Sequence, residues 1–319
     1  MERLPRKVLS PLFLIDSSDS KADYLSGGGG KIKLLKAGAY SDHKVDISLI
    51  SHPGIIRSTA LLSTAAYSGF KVEFFGQAAH AAANPEKGIN ALDALVAGYV
   101  NFSLLRQQTM PGDIIQGHIT HGGGKPNIIH EYAAGKFVVR ALRQDRLREL
   151  RGKVVKCFEA GAVATGAEMK ITMGGAYMNH VSNRPLAKSF VRYFNPLVRS
   201  TKQMSDGEST WAEDVPEEIA ENPEVDAVNG TVAASTDQGD ISHAMPSISP
   251  GFRIIPGPQG QGPHNPEFAE AAGTEDAYAR AVRVAKALAG TAIDVLTQEG
   301  LLEEVKRSWR EDMKREEGR

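Results

Sequence analysis

The 319-residue sequence is short of cysteine, of long apolar runs and of charge of either sign in excess, and each shortage removes a class of protein. Cys157 is the single cysteine, which excludes a disulfide framework and a thiolate-bound zinc cluster. Any metal has to sit on histidine and carboxylate. No apolar stretch approaches the roughly 20 residues that a membrane-crossing helix needs, so no membrane partner is expected. Lysine plus arginine (37) nearly balance aspartate plus glutamate (38), for a formal net charge of −1, and the basic residues are dispersed. Nucleic acid, which calls for a basic patch, is not an expected partner.

What is present is the composition of a soluble globular protein, 41% hydrophobic and 24% charged, at a length that predicts two domains. At the start, basic residues precede a short apolar patch, Val8 to Ile15, as in a signal peptide. Ser10 and Pro11 break that patch and no small-residue cleavage site follows, so a buried strand over Lys7 to Ile15 and a cytoplasmic location are expected. A polar loop, Asp16 to Ser26, leads to four glycines, Gly27 to Gly30, and a helix that Gly38 closes. A glycine run before a helix invites a phosphate. The P-loop reading fails because Lys31 is followed by Ile32 rather than Ser or Thr.

The rest of the chain is arranged around Phe74 to Leu95, FFGQAAHAAANPEKGINALDAL. A β-like run from Tyr67 to Phe75 enters a small-residue segment carrying His80. Pro85 and Gly88 then mark a turn before a helix with Ile89, Leu92, Leu95, Val96 and Tyr99 on one side. This stretch resembles the lid-domain signature G-x-x-x-H-A-x-x-P-x-x-G-x-N-A of the M20 family of zinc aminopeptidases, carboxypeptidases and amidohydrolases. Gly76, His80, Ala81, Pro85, Gly88, Asn90 and Ala91 all fall on it. The segment that follows predicts a strand over Ile114 to Ile119, a strand over Gly135 to Leu142, a helix over Arg146 to Val163 and a strand over Glu168 to Met173. That order, βαββαβ, is a ferredoxin-like split arrangement, whose edge strands and helix face an identical partner could cover.

The resemblance implies an α/β fold: a truncated zinc-exopeptidase-like α/β/α catalytic domain, its N-terminal part expected to be missing, with an inserted ferredoxin-like lid and dimerisation domain. Residues 1–63 form the first part of the catalytic domain, 64–178 the lid and 179–319 the second part. It further implies amide-bond hydrolysis of dipeptides or N-acyl amino acids, nearest the dipeptidase and aminoacylase-like branch, in a homodimer holding two zinc ions per chain. His52, in DISLISHPG, and His264, in GPHNPEF, take the positions of family metal ligands. A histidine closing a strand is otherwise an ordinary hydrogen-bonded loop residue. Asn127 and Arg140 stand at the spacing of the family's Asn and Arg, which line the oxyanion region and bind the substrate carboxylate; a planar guanidinium clasps a carboxylate through two parallel hydrogen bonds. The resemblance also implies that His80 is the oxyanion-stabilising histidine, supplied across the dimer. Ser235, Thr236, Asp237, Gly239, Ser242 and Pro246 match a Ser-Thr-Asp motif in which Asp237 and Ser242 support the site from behind. A capped turn before a strand is the other reading of that segment.

The pattern departs from the family just ahead of the glycine run. Where the family has Pro-Ala-Glu-Glu, this sequence has Asp23, Tyr24, Leu25 and Ser26, so neither the general-base glutamate nor the ligating one is there. The family's upstream His-x-Asp motif has no counterpart in residues 1–26, which contain no histidine. Two neutral imidazoles do not bring two divalent ions together without a bridging carboxylate. Three readings follow: an M20-type hydrolase inactive in this form, a non-catalytic homologue that binds a carboxylate-bearing small molecule or a protein partner, or an incomplete gene model.

Outside the motifs, His118 and His121 are predicted on opposite faces of a strand. A helix is expected over Pro185 to Phe194. Thr201 to Asn229 reads as a solvated acidic helix and loop, or as a pocket wall for a basic side chain. Thr274 to Leu302 is predicted as a helix packing a small-residue stripe, Ala281, Ala285, Leu288, Ala292 and Val295, on a sheet. Trp309 to Arg319 is expected to fray.

Overall fold

A computed structural model of the chain describes residues 29–204 and 217–318. The strand expected over Lys7 to Ile15, the loop to Ser26 and the central part of the acidic run lie outside the described residues.

Four antiparallel strands form the larger sheet, in the order Ile114–His121, Tyr132–Ala141, Ala66–Phe75, Glu168–Tyr177. With helices Ala91–Leu104 and Gln144–Thr165 between them, the chain order is the expected βαββαβ, plus a small hairpin pairing Ala79–His80 with Ile128–Ile129. Alternation in the strands sends Phe70, Val72, Phe74, Phe137 and Val139 to the face that the helices cover with Leu95, Phe102, Leu150, Val154 and Phe158. Lys71 and Glu73, between them in sequence, pair with each other on the other face. Asn90 starts the first helix by accepting hydrogen bonds from the N–H groups of Leu92 and Asp93. The two helices cross at Gly98 and Gly161, where a Cβ added to Gly161 would stand 2.3 Å from the carbonyl oxygen of Ala94.

The remaining core gathers around short parallel pairings: Ser48–Leu49 with Ser247–Ile248, His52–Gly54 with Gly251–Arg253, and Ser63–Thr64 with Thr231–Val232. His52 therefore opens a strand segment rather than closing one. The interruption falls opposite Pro250, whose nitrogen has no hydrogen to donate, although its carbonyl accepts from the His52 N–H at 3.1 Å.

Two expectations for this part are corrected. Helix Glu275–Thr297 packs mainly on helix Arg184–Met204, and its buried residues are Ala277, Val284, Ala287, Gly290, Thr291, Asp294 and Val295. An apolar-stripe reading finds only Val295 of these, in part because three of the seven, Gly290, Thr291 and Asp294, are polar or bare backbone: Gly290 makes room for the ring of Tyr193, and Asp294 accepts from Ser189 Oγ (2.5 Å) and Tyr193 OH (2.7 Å). The charged end does not fray either. Leu301–Glu316 is a helix whose Val305 is fully buried, with Trp309 Nε1 donating to Ser242 O at 2.8 Å, Asn183 Nδ2 to Val305 O at 2.9 Å, and Lys306 paired with Asp46 at 2.6 Å. Within the acidic run, Glu217 is likewise not simply solvated, being paired with Arg280 and Arg283.

Candidate functional site

The segment Ala233 to Asp237, just ahead of helix Gln238–Ala244, receives a cation from each side. From the large sheet, Arg140 Nη1 donates to Ala233 O (3.1 Å) and Ser235 Oγ (3.2 Å), while Ser235 Oγ donates to Ala65 O (2.8 Å). The guanidinium carbon lies 5.2 Å from the centre of the Tyr67 ring, which in turn packs at 5.6 Å against Tyr177. From helix Gly30–Lys36, Lys31 gives both its backbone N–H (3.0 Å) and its ammonium (2.5 Å) to the Asp237 carboxylate. Asp237 caps its own helix with no side-chain bond. Its charge is directed at Lys31 instead.

Half-buried His52 faces this pair. Its Nδ1 is 2.8 Å from Ser249 Oγ, and burial first, then the Lys31 ammonium, push its pKa below the usual histidine value against a smaller opposing effect of Asp237. Ser242 is fully buried; its hydroxyl donates to Gly239 O (2.6 Å) and accepts from the Val181 N–H (3.0 Å). It thereby ties helix Gln238–Ala244 to the strand leaving the large sheet.

His80 and Asn127 lie elsewhere. They belong to the small hairpin, with His80 opposite Ile128 and the Ala81 N–H donating to Asn127 O at 3.0 Å. The hairpin follows the Phe75 end of the strand whose other end, Tyr67, pairs with Arg140. Eight residues of strand separate the two ends by about 25 Å, so one chain does not bring His80 and Asn127 to Arg140. The exposed His80 ring accepts at Nδ1 from the N–H groups of Ala82 (3.2 Å) and Ala83 (3.1 Å). That assigns its hydrogen to Nε2, which is left as an outward donor. His264 occupies an exposed loop with φ 69°, a left-handed conformation uncommon outside glycine. The loop approaches the His52 strand through Gly262, whose added Cβ would be 4.0 Å from Ile55 Cδ1. His118 and His121 are both exposed, with a pairing irregularity between Ile119 and His121, and the His121 ring packs 5.2 Å from that of Tyr132.

Sequence reading overlooked His180. It is fully buried beside the crossover into residue 64, with Nδ1 2.8 Å from Leu62 O and Nε2 3.2 Å from Ser247 Oγ, and burial pushes its pKa down to about 4. Only its position next to Asn179, at the return from the large sheet, could have drawn notice. Lys31 was likewise read only as a failed P-loop lysine.

The described residues do not fit a dinuclear zinc centre. Among them no group of three or more His, Cys, Asp or Glu side chains stands together as a metal-holding set. The ammonium of Lys31 is on the one carboxylate near His52, and Ser249 engages that imidazole at Nδ1.

Residues 63–165 match the M20 peptidase dimerisation domain. The chain is 36% identical over 284 residues to a mouse Xaa-Arg dipeptidase, covering 89% of this chain and 60% of that protein. It is 34% identical over 316 residues to the human Xaa-Arg dipeptidase, covering 98% of this chain and 64% of that protein. The chain thus spans less than two thirds of the length of these curated relatives. Among solved structures, a Bacillus subtilis protein described as a dinuclear metal-binding peptidase of the M20 family superposes with a TM-score of 0.54 at 13% identity, over 86% of this chain and 63% of that one; this likeness speaks for the fold. Together with the βαββαβ sheet and the 63–165 match, the two dipeptidase relationships mean that the chain belongs to the M20 peptidase family.

Proposed function

We propose that this chain provides the substrate-gripping portion of an M20-type amide hydrolase acting on dipeptides or N-acyl amino acids, and that in this form it binds such molecules without hydrolysing them. Residues 64–178 serve as the lid and dimerisation unit, and 1–63 with 179–319 as the two parts of the catalytic-domain portion. The observation that carries the reading is the placement of Arg140. Only Nη1 is engaged by the 233–235 segment, which leaves the Nε and Nη2 edge of the guanidinium to take a carboxylate through two parallel hydrogen bonds. The related Xaa-Arg dipeptidases make a dipeptide with a free C-terminal carboxylate the first choice of substrate.

In a homodimer built on the 63–165 unit, His80 and Asn127 of the partner subunit would reach the Arg140 region that their own chain does not supply. With Nδ1 committed to two backbone N–H groups, His80 presents Nε2–H as a donor to the oxygen that gains charge when an amide carbonyl is attacked. Asp237 and Ser242 hold the 233–244 segment in place. His52 and His264 stand at the family's metal-ligand positions, and the described donors around them do not complete a zinc set.

A second reading, a non-catalytic carboxylate-binding homologue, is favoured by one observation: the Lys31 ammonium already neutralises Asp237 beside His52. Calorimetric titration of the full chain with Ala-Arg and with its C-terminal amide, in the presence of zinc, tests both. Binding of the free acid only, without release of arginine, is the expected result. Arg140→Ala should weaken it roughly 10- to 100-fold. Turnover would remove the claim of inactivity, and equal binding of acid and amide would remove the role of Arg140.

A further inference from the structure

The last turn of the terminal helix, Leu301–Glu316, reaches the large sheet at a point three residues beyond Arg140. Arg143 follows strand Tyr132–Ala141 and sits as the residue before helix Gln144–Thr165. Its Nη2 donates to Arg315 O at 3.1 Å and its Nη1 lies 3.6 Å from Glu316 Oε1. A cation on the exposed carbonyls of a helix C-terminus is favourably placed against the helix dipole. The other carboxylate oxygen, Glu316 Oε2, accepts from Asn179 Nδ2 at 3.1 Å.

Asn179 is the residue on which the chain leaves the large sheet for the second core, and it is only 3% exposed. Its neighbours are pinned as well: the Met178 N–H donates to Asp240 Oδ2 at 3.1 Å, and His243 Nε2 lies 3.1 Å from Asn179 O. One carboxylate, Glu316, thus joins Arg143 at the end of the lid sheet to the connecting segment on which the lid would turn. Arg143 divides its charge between Glu316 and Asp145, the latter 3.1 Å away.

We propose that Glu316 is a positioning residue: bridging Arg143 and Asn179, it fixes the angle of the lid and hence where Arg140 presents its guanidinium. This rests on the reading of Arg140 as the carboxylate clasp. If Glu316 is removed, Arg143 keeps Asp145 and the Arg315 carbonyl but loses the carboxylate that joins it to Asn179, and the buried Asn179 amide loses its acceptor. The lid then samples a range of angles, and the clasp is met in only a fraction of them.

The experiment uses the full chain with two spin labels, one on Cys157 in the lid and one on a cysteine introduced as Lys286→Cys, an exposed position on helix Glu275–Thr297. Glu316→Ala should broaden the inter-label distance distribution and weaken binding of Ala-Arg about tenfold. Glu316→Gln, nearly isosteric, guards against a folding defect and should give the same broadening to a lesser degree. An unchanged distribution and affinity in Glu316→Ala, with Arg140→Ala still weakening the acid, would overturn the positioning role while the clasp stands. If Arg140→Ala has no effect, the clasp itself fails, and an unbroadened distribution in Glu316→Ala then rejects the latch independently.

Discussion

The Lys31 ammonium lies 2.5 Å from Oδ1 of Asp237, and the Lys31 backbone N–H donates to Oδ2 of the same carboxylate at 3.0 Å, across 206 residues of sequence. One side chain therefore holds the first turn of helix Gly30–Lys36 and a charge facing His52. Lys31→Met keeps the backbone bond and loses the ion pair. With a third of the lysine side chain exposed, the expected cost is about 1 kcal/mol, read by urea denaturation. Amide exchange over residues 31–36 should accelerate, because the helix buries no residue of its own. An exchange pattern that does not change would show that the pair does not hold the helix.

Metal content follows from the donors. Zinc sites of either kind need three or four ligands per ion, and the described residues supply no such set. After equilibration with zinc and removal of excess, elemental analysis should find fewer than two zinc ions per chain. Two tightly held ions would mean that donors outside the described residues complete the centre.

His180 makes stability depend on pH. Its folded-state pKa is about 4, against 6.5 for the ordinary side chain, because burial opposes the charged ring. The unfolded chain therefore binds the proton more readily, so the contribution is complete above about pH 6.5, declines as pH falls and is exhausted near pH 4. A separation of this size corresponds to about 3 kcal/mol across that window. His180→Gln should be less stable at pH 7 and should show a shallower decline towards pH 4.5 in paired denaturation curves. His243, also lowered by burial, keeps some slope in the variant. Parallel curves for the two proteins would rule out His180 as the source.

The Gly98 and Gly161 crossing sets the distance between the two lid helices. An alanine at 161 would place Cβ 2.3 Å from Ala94 O and 3.0 Å from Gly98 N, both backbone atoms that cannot rotate away. Gly161→Ala gains up to about 1 kcal/mol of helix propensity and costs about 3 kcal/mol by forcing the helices apart, the upper end of overpacking because the atoms met are backbone. The net outcome is a lower melting temperature, measurable by circular dichroism. A stabilised variant would mean that the helices yield freely.

Alternation and turn chemistry made the lid legible. Phe70, Val72 and Phe74 announce a one-sided strand, Asn90 and Gly166 bracket helices, and the lid strands and helices appear close to where pattern reading put them. The second core was less legible because its contacts are not apolar stripes. Gly290 is buried by Tyr193, Asp294 by hydroxyls and arginine, and the terminal helix by Trp309 and paired charges. Residues 233–237 showed a motif but not that two cations from distant positions converge on it.

The sequence alone determined the βαββαβ order of the large-sheet unit, the motif around His80 and the residue types around each candidate site, because these rest on local periodicity and fixed spacing. Tertiary structure decided which of those residues meet. It joined Lys31 to Asp237 and Arg140 to Ser235, and it left His80 at the opposite end of the sheet from Arg140. Such pairings depend on how two cores lie against each other, a relation between residues far apart in the chain that no local pattern encodes.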